Sequence, residues 1–112
     1  MSLNRGDILL VDFDPARSGE ANKIRPAVLI TNNQANLYGS SVMVIPLSSN
    51  IERIYPFQLF LPLDQTGLNK DSKAQIELTR SVSKSRLGKR VGQVSEGLLE
   101  QLGERLKVHI GL

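Results

Sequence analysis

A chain of 112 residues, 40% hydrophobic and 22% charged, is long enough to bury one core and too short for two, so a single domain over 1–112 is expected. The absence of Cys excludes disulfides, thiolate metal sites and cysteine nucleophiles; no apolar run nears the ~20 residues of a membrane span, and no export signal opens the chain, which predicts a cytoplasmic protein without a membrane partner. A net charge of +3 leans toward an anionic partner, and two Tyr, three Phe and no Trp favour Arg, Lys and backbone contacts over aromatic platforms for holding it.

Gly6-Asp7 opens a first strand, Ile8 to Phe13, whose dense apolar run predicts burial on most of both faces; Asp14-Pro15 closes it. From Ala16 to Ile24 there is no helical or strand period, which predicts a long surface loop. A second strand is expected from Pro26 to Thr31, with Pro at its start where a missing N–H does least harm. Asn32 can cap a short helical turn from Asn33 to Tyr38, ended by Gly39. Val42 to Leu47 reads as a third strand, and Pro46 near its end argues for an edge position or a bulge.

Ser48-Ser49-Asn50 follows as a polar loop, and Phe57 to Leu61 as a fourth strand. Asp64 to Asp71, with Gly67 and Asn69, predicts a turn or a single helical turn. The alternation from Ser72 to Leu78 predicts a half-exposed strand that Arg80 to Val82 can extend. A short helical turn from Ser83 or Lys84 to Leu87, ended by Gly88, precedes a last strand around Arg90 to Val94. Ser95 caps the clearest helix, with Leu98, Leu102, Leu106 and Ile110 on its inner face. Short strands between turns and one terminal helix predict a mainly β (α+β) fold, a small twisted antiparallel sheet curled into a barrel.

The chemistry-bearing residues narrow by elimination. His109 is the only histidine, sits in the last helical turn and suits a structural or helix-dipole role, so no metal site or cofactor is expected. No G-x-S-x-G and no glycine-rich phosphate loop is present. What remains are cations and hydroxyls at predicted loop edges: Lys23, Arg25, Ser48, Ser49, Arg53, Arg80, Arg86 and Arg90. Such groups suit phosphodiester chemistry, where charge on a phosphorane must be stabilised; on composition alone a solvated surface is the favoured account of them.

Arg5-Gly6-Asp7-Ile8, Gly19-Glu20 with Arg25-Pro26-Ala27-Val28-Leu29-Ile30, and Val44-Ile45-Pro46-Leu47-Ser48-Ser49-Asn50 resemble, in that order, the MazF/PemK/Kid family of toxin ribonucleases. The similarity continues through Asp64-Gln65-Thr66-Gly67-Leu68, Asp71-Ser72, Thr79-Arg80-Ser81-Val82 and Lys84-Ser85-Arg86-Leu87, covering nearly the whole chain. The resemblance implies an SH3-like β-barrel with short helices and a C-terminal helix, assembled as a homodimer. It implies the toxin of a type II toxin–antitoxin pair that cuts single-stranded RNA, mRNA especially, without a metal, by 2′-OH attack leaving 2′,3′-cyclic phosphate and 5′-OH ends. By the same resemblance Arg25 is catalytic and Ser48 stabilises the transition state. Ser18, Glu20, Lys23, Ser49, Asn50, Arg80 and Arg86 are candidates for binding RNA or supporting the site. A MazE-like antitoxin would fold an acidic disordered segment onto the basic groove, with the loop from Asp14 to Ile24 as mobile cover and dock.

Two departures stand out. The family usually has Thr where this chain has Ser48, which keeps the hydroxyl and loses the β-methyl that restrains χ1. Many members read Gly-Ser-Glu where this chain has Ser18-Gly19-Glu20. The alternatives are a barrel that binds nucleic acid without cutting it and a CcdB-like gyrase poison; poisons of that type depend on a Trp near the C-terminus, whereas this chain has none and ends Ile110-Gly111-Leu112.

Overall fold

The apolar run at the start of the chain forms β1 (Asp7–Asp12), which is paired along both edges and buried on both faces by an apolar cluster on each side. The antiparallel partners are β2 (Ile24–Leu29) and β7 (Leu87–Gln93). β3 (Ser41–Ser48) extends the sheet beyond β2, followed by β5 (Ser72–Ala74) and β4 (Leu59–Leu61), while β6 (Arg80–Ser83) pairs with the other half of β3. The computed structural model describes residues 2–13 and 24–112. The predicted loop residues Ala16 to Lys23, with Asp14-Pro15 before them, lie outside the described residues.

One face of this sheet carries Ile8, Val28, Ile45, Leu47 and Leu61, on which α2 (Glu96–His109) lays Leu98 and Leu102. The other carries Leu9, Val11, Ala27, Leu29, Val44 and Val82. Two clusters back to back explain why β1 lacks polar alternation. The expected small antiparallel β fold with a C-terminal helix is present as a curled seven-stranded sheet, whose path runs from β4 to β7 without those two ends pairing among the described residues. Among the described residues no helix is long and apolar enough to cross a membrane.

The caps match expectation. Asn32 accepts from Ala35 N at 2.9 Å to start α1 (Asn33–Tyr38), and Ser95 Oγ accepts from Leu98 N at 3.3 Å to start α2. Ile110 lies past the last residue of α2 and is 60% exposed, so the inner face ends at Leu106, which packs half-buried against the first cluster.

Several boundaries differ, each for a physical reason. β2 begins two residues before Pro26, because the β1 side of β2 is served by Arg25 and Ala27 while Pro26 faces β3, just past Ala27↔Pro46, where that ladder ends. Pro46 is neither at an edge nor in a bulge. Its carbonyl accepts from Gln75 N at 2.9 Å, so its amide position points into the gap between β5, which ends at Ala74 opposite Leu47, and β6, which begins at Arg80 opposite Val44. The stretch from Ser72 to Leu78 is a strand only to Ala74 and then a 3₁₀ turn, Ile76–Leu78; all of β5 is buried because β3 and β4 flank it. Phe57 belongs to a turn closed by Gln58 N donating to Tyr55 O, so β4 starts at Leu59. Gly88 lies inside β7 rather than ending the turn Lys84–Arg86.

One close approach shapes the site to come. A Cβ at Gly92 on β7 would stand 2.4 Å from Thr66 O, and Gly67 has φ +76°. Both glycines let the turn after β4 settle onto β7, and from there the chain runs into Leu68-Asn69-Lys70.

Candidate active site

The Arg25-Pro26 step is explained by the ladder it interrupts. In the β2–β3 register Pro26 would pair with Leu47, and any other residue there would donate its N–H to Leu47 O. Proline has no N–H, and the vacant acceptor is taken by the preceding side chain: Arg25 Nη2 donates to Leu47 O at 3.1 Å. The same nitrogen donates to Gln75 Oε1 at 2.9 Å. Two of the five guanidinium N–H groups are thereby anchored, and Nε and Nη1 make no hydrogen bond among the described residues.

One step further along that register, Arg25 falls opposite Ser48. Ser48 in turn pairs with Lys73 on β5, and Lys73 with Phe60 on β4. Arg25, Ser48, Lys73 and Phe60 therefore form a row across four strands on one face of the sheet. Asn50 N donates to Ser48 Oγ at 3.1 Å, a local bond that restrains χ1 in place of the β-methyl Ser lacks and leaves the hydroxyl proton to be donated elsewhere.

Arg25 and Ser48 open onto a cleft of about 470 Å³ together with Pro26, Leu47, Ser49 and the wall Leu68-Asn69-Lys70. Its described lining holds two cations and several hydroxyl and amide groups, with no carboxylate or imidazole. Such a set binds an oxyanion by donation alone and can stabilise charge that develops on it.

The other expected residues divide. Ser49 lines the cleft, and Asn50 serves it through its backbone. Arg80 and Arg86 are not in the lining but lie near it: the Arg80 guanidinium stands 5.5 Å from the Phe13 ring, and Arg86 Nη1 donates to Asp12 O at 3.5 Å, which puts both at the C-terminal end of β1, where Val11 pairs with Arg25. Arg53 stacks on Tyr55, and Arg90 pairs with the buried carboxylate of Asp7 at 3.3 Å, a structural role. His109 packs on Phe57. Ser18, Glu20 and Lys23 lie outside the described residues, as does the cover assigned to Asp14 to Lys23.

Two contributors escaped sequence reasoning. Gln75 sits in an alternating stretch that reads as a strand, and nothing local marks it as the partner of a guanidinium fifty residues away. Lys73 is only 8% exposed, its ammonium donating to Arg53 O at 2.8 Å, although lysine ordinarily signals a surface. Gln75→Leu removes the side-chain acceptor at similar volume; the expected result is a kcat lowered about tenfold with KM and melting temperature nearly unchanged, measured by steady-state cleavage of an RNA oligonucleotide.

The family described as "PemK-like, MazF-like toxin of type II toxin-antitoxin system" matches residues 4–110. The chain is 45% identical to Endoribonuclease MazF9 of Mycobacterium tuberculosis, over 98% of each chain. It is 28% identical to Endoribonuclease MazF of Staphylococcus saprophyticus, over 98% of this chain and 92% of that one. Among solved structures, MazF from Deinococcus radiodurans superposes with a TM-score of 0.82 at 20% identity, covering 100% of this chain and 99% of that one. An endoribonuclease in complex with its cognate antitoxin, from a mycobacterial species, superposes with a TM-score of 0.78 at 17% identity, over 99% and 95% of the two chains.

Proposed function

The chain belongs to the PemK-like, MazF-like family of type II toxins, and from that premise we propose that it is an endoribonuclease toxin that cuts single-stranded RNA at short sequences without a metal. The observation that carries the mechanism is the guanidinium of Arg25, anchored through Nη2 and bonded to no described residue at Nε and Nη1, lining one cleft with Ser48.

A phosphodiester seated in the cleft places its non-bridging oxygens against the Nε and Nη1 N–H groups of Arg25. The ribose 2′ oxygen attacks phosphorus as its proton passes to solvent water, the P–O5′ bond breaks, and the products are a 2′,3′-cyclic phosphate and a 5′-OH. Negative charge on the phosphorane is met by Arg25 and by a hydrogen bond donated from Ser48. A guanidinium holds its protons too tightly to serve as a base, so the work of Arg25 is to clamp the oxyanion and to supply the proton that the departing 5′ oxygen takes up, which it recovers from solvent. Lys70 and Asn69 on the facing wall hold the neighbouring backbone.

In the cell the protein acts in the cytoplasm as a homodimer of one domain per chain, and its antitoxin silences it by laying an acidic segment over the cleft. The 45% identity to a named endoribonuclease supports the activity, and the fold it shares with an antitoxin-bound endoribonuclease supports the pairing. Incubation of the purified protein with a pool of single-stranded RNA in EDTA tests this reading. Cutting at a few short sequences is expected; a chelator that stops the cutting overturns the metal-free mechanism, and RNA held without any cutting overturns the enzyme.

A further inference from the structure

The cleft wall Leu68-Asn69-Lys70 belongs to no strand or helix, yet the chain leading into it is pinned. Thr66, next after the 3₁₀ turn Leu63–Gln65, is only 1% exposed. Its hydroxyl donates to Leu63 O at 3.3 Å and accepts from Leu68 N at 3.1 Å, and its carbonyl accepts from Gln93 N of β7 at 2.9 Å. Beside it, Gln65 O accepts from Ser95 N at 3.0 Å and Gln65 Oε1 from Ser95 Oγ at 2.9 Å, the same hydroxyl that caps α2. Asp71 Oδ1 accepts from Leu63 N at 2.9 Å and ties the far end of the wall back to its start.

This mount is built against β7, and β7 leads to the catalytic arginine. Gln93 pairs with Asp7 at one end of β1, and Arg25 pairs with Val11 near the other, so the sheet fixes the wall relative to the guanidinium. What the wall presents is uncommitted. The side chains of Asn69 and Lys70 are exposed, line the cleft and make no hydrogen bond among the described residues. A cation on a fixed backbone binds an anion with less ordering cost than one on a loose loop.

We propose that Lys70, with Asn69, is a preorganised subsite for a second phosphate of the RNA, and that Thr66 is its positioning residue, setting the spacing between that subsite and Arg25. The subsite rests on the endoribonuclease reading above and deepens it. Arg25 meets the phosphodiester that is cut, while Lys70 holds a neighbouring one that is not, so Lys70 contributes to affinity rather than to the chemical step. Thr66 touches no substrate: it acts through the Leu68 amide, which its hydroxyl holds in place.

The test follows cleavage of one RNA oligonucleotide across a series of KCl concentrations by the parent protein, Lys70→Ala, Thr66→Val, Thr66→Ser and the double variant Thr66→Val/Lys70→Ala. Each phosphate contact on a single strand adds about 0.7 to the salt slope, which makes it worth about fivefold in affinity near 0.1 M salt. Lys70→Ala is therefore expected to raise KM about fivefold, to lower the slope of log KM against log salt by about 0.7, and to change kcat little. Thr66→Val keeps the volume but leaves Leu68 N without its acceptor, so KM and slope should move the same way, while Thr66→Ser keeps the hydroxyl and the parental values. The double variant should match Lys70→Ala alone, because Thr66 acts through that lysine. Melting curves establish that the variants fold; if Thr66→Val does not, Gly92→Ala gives the same test, since its Cβ would stand 2.4 Å from Thr66 O and displace the turn. A folded Thr66→Val with parental KM, a raised KM at an unchanged salt slope, or effects that add in the double variant each overturn the positioning role. Parental KM in Lys70→Ala overturns the subsite while leaving the nuclease intact. Failure of the parent to cut the RNA overturns the endoribonuclease reading, and the subsite with it.

Discussion

Arg25→Ala is expected to lower the single-turnover cleavage rate by about 10²–10³-fold, the usual cost of removing one preorganised donor to a developing oxyanion. The fold should persist, because Arg25 is only half-buried and the core clusters on both faces of the sheet do not include it. What the variant loses structurally is the donor on Leu47 O, a cost of about 1–3 kcal/mol if the cleft does not admit water to replace it. Arg25→Lys should recover little. An ammonium has three donors, and anchoring to Leu47 O and Gln75 Oε1 in the manner of Nη2 leaves one for the phosphate where the guanidinium keeps three. Single-turnover kinetics on a labelled oligonucleotide, with a melting curve for each variant, separates lost chemistry from lost structure.

Ser48→Ala is the second large effect. Without the hydroxyl the phosphorane loses a donor and Asn50 N loses its acceptor, so the loop after β3 is loosened as well as the site. A fall of about 10–100-fold in kcat is expected. Ser48→Thr restores the usual residue of the family and should match or exceed the parent, since the β-methyl restrains the same χ1 that the Asn50 bond already restrains. A Thr variant slower than the parent would show that the loop is tuned to serine.

The sequence carried its elements well where the period was unambiguous. The apolar run of β1, the Asn32 cap and the Ser95 cap with Leu98 and Leu102 all appear where expected. Prolines misled because the rule that confines them to edges concerns one amide, not one strand: Pro26 and Pro46 lie inside paired strands, each facing a position where the ladder has a gap. Alternation misled from Ser72 to Leu78, where a period of two ran across the junction of a strand and a 3₁₀ turn.

The roles of Arg25 and Ser48 came from family resemblance, and their adjacency could not be read from either local stretch, because it depends on the register of β2 against β3. Gln75 and Lys73 enter only through that same long-range pairing, and so does the row that leads to Phe60. The physical content of the Arg-Pro spacing became visible only with the ladder: the proline withholds a proton from Leu47 O, and the arginine before it supplies one.

The central claim is that the 2′ oxygen attacks while an anchored Arg25 meets the charge, and the chemistry of the cut ends tests it most directly. Mass spectrometry of the fragments from a digest in EDTA should find 2′,3′-cyclic phosphate on the upstream fragment and a 5′-hydroxyl on the downstream one. A 3′-hydroxyl paired with a 5′-phosphate would contradict it.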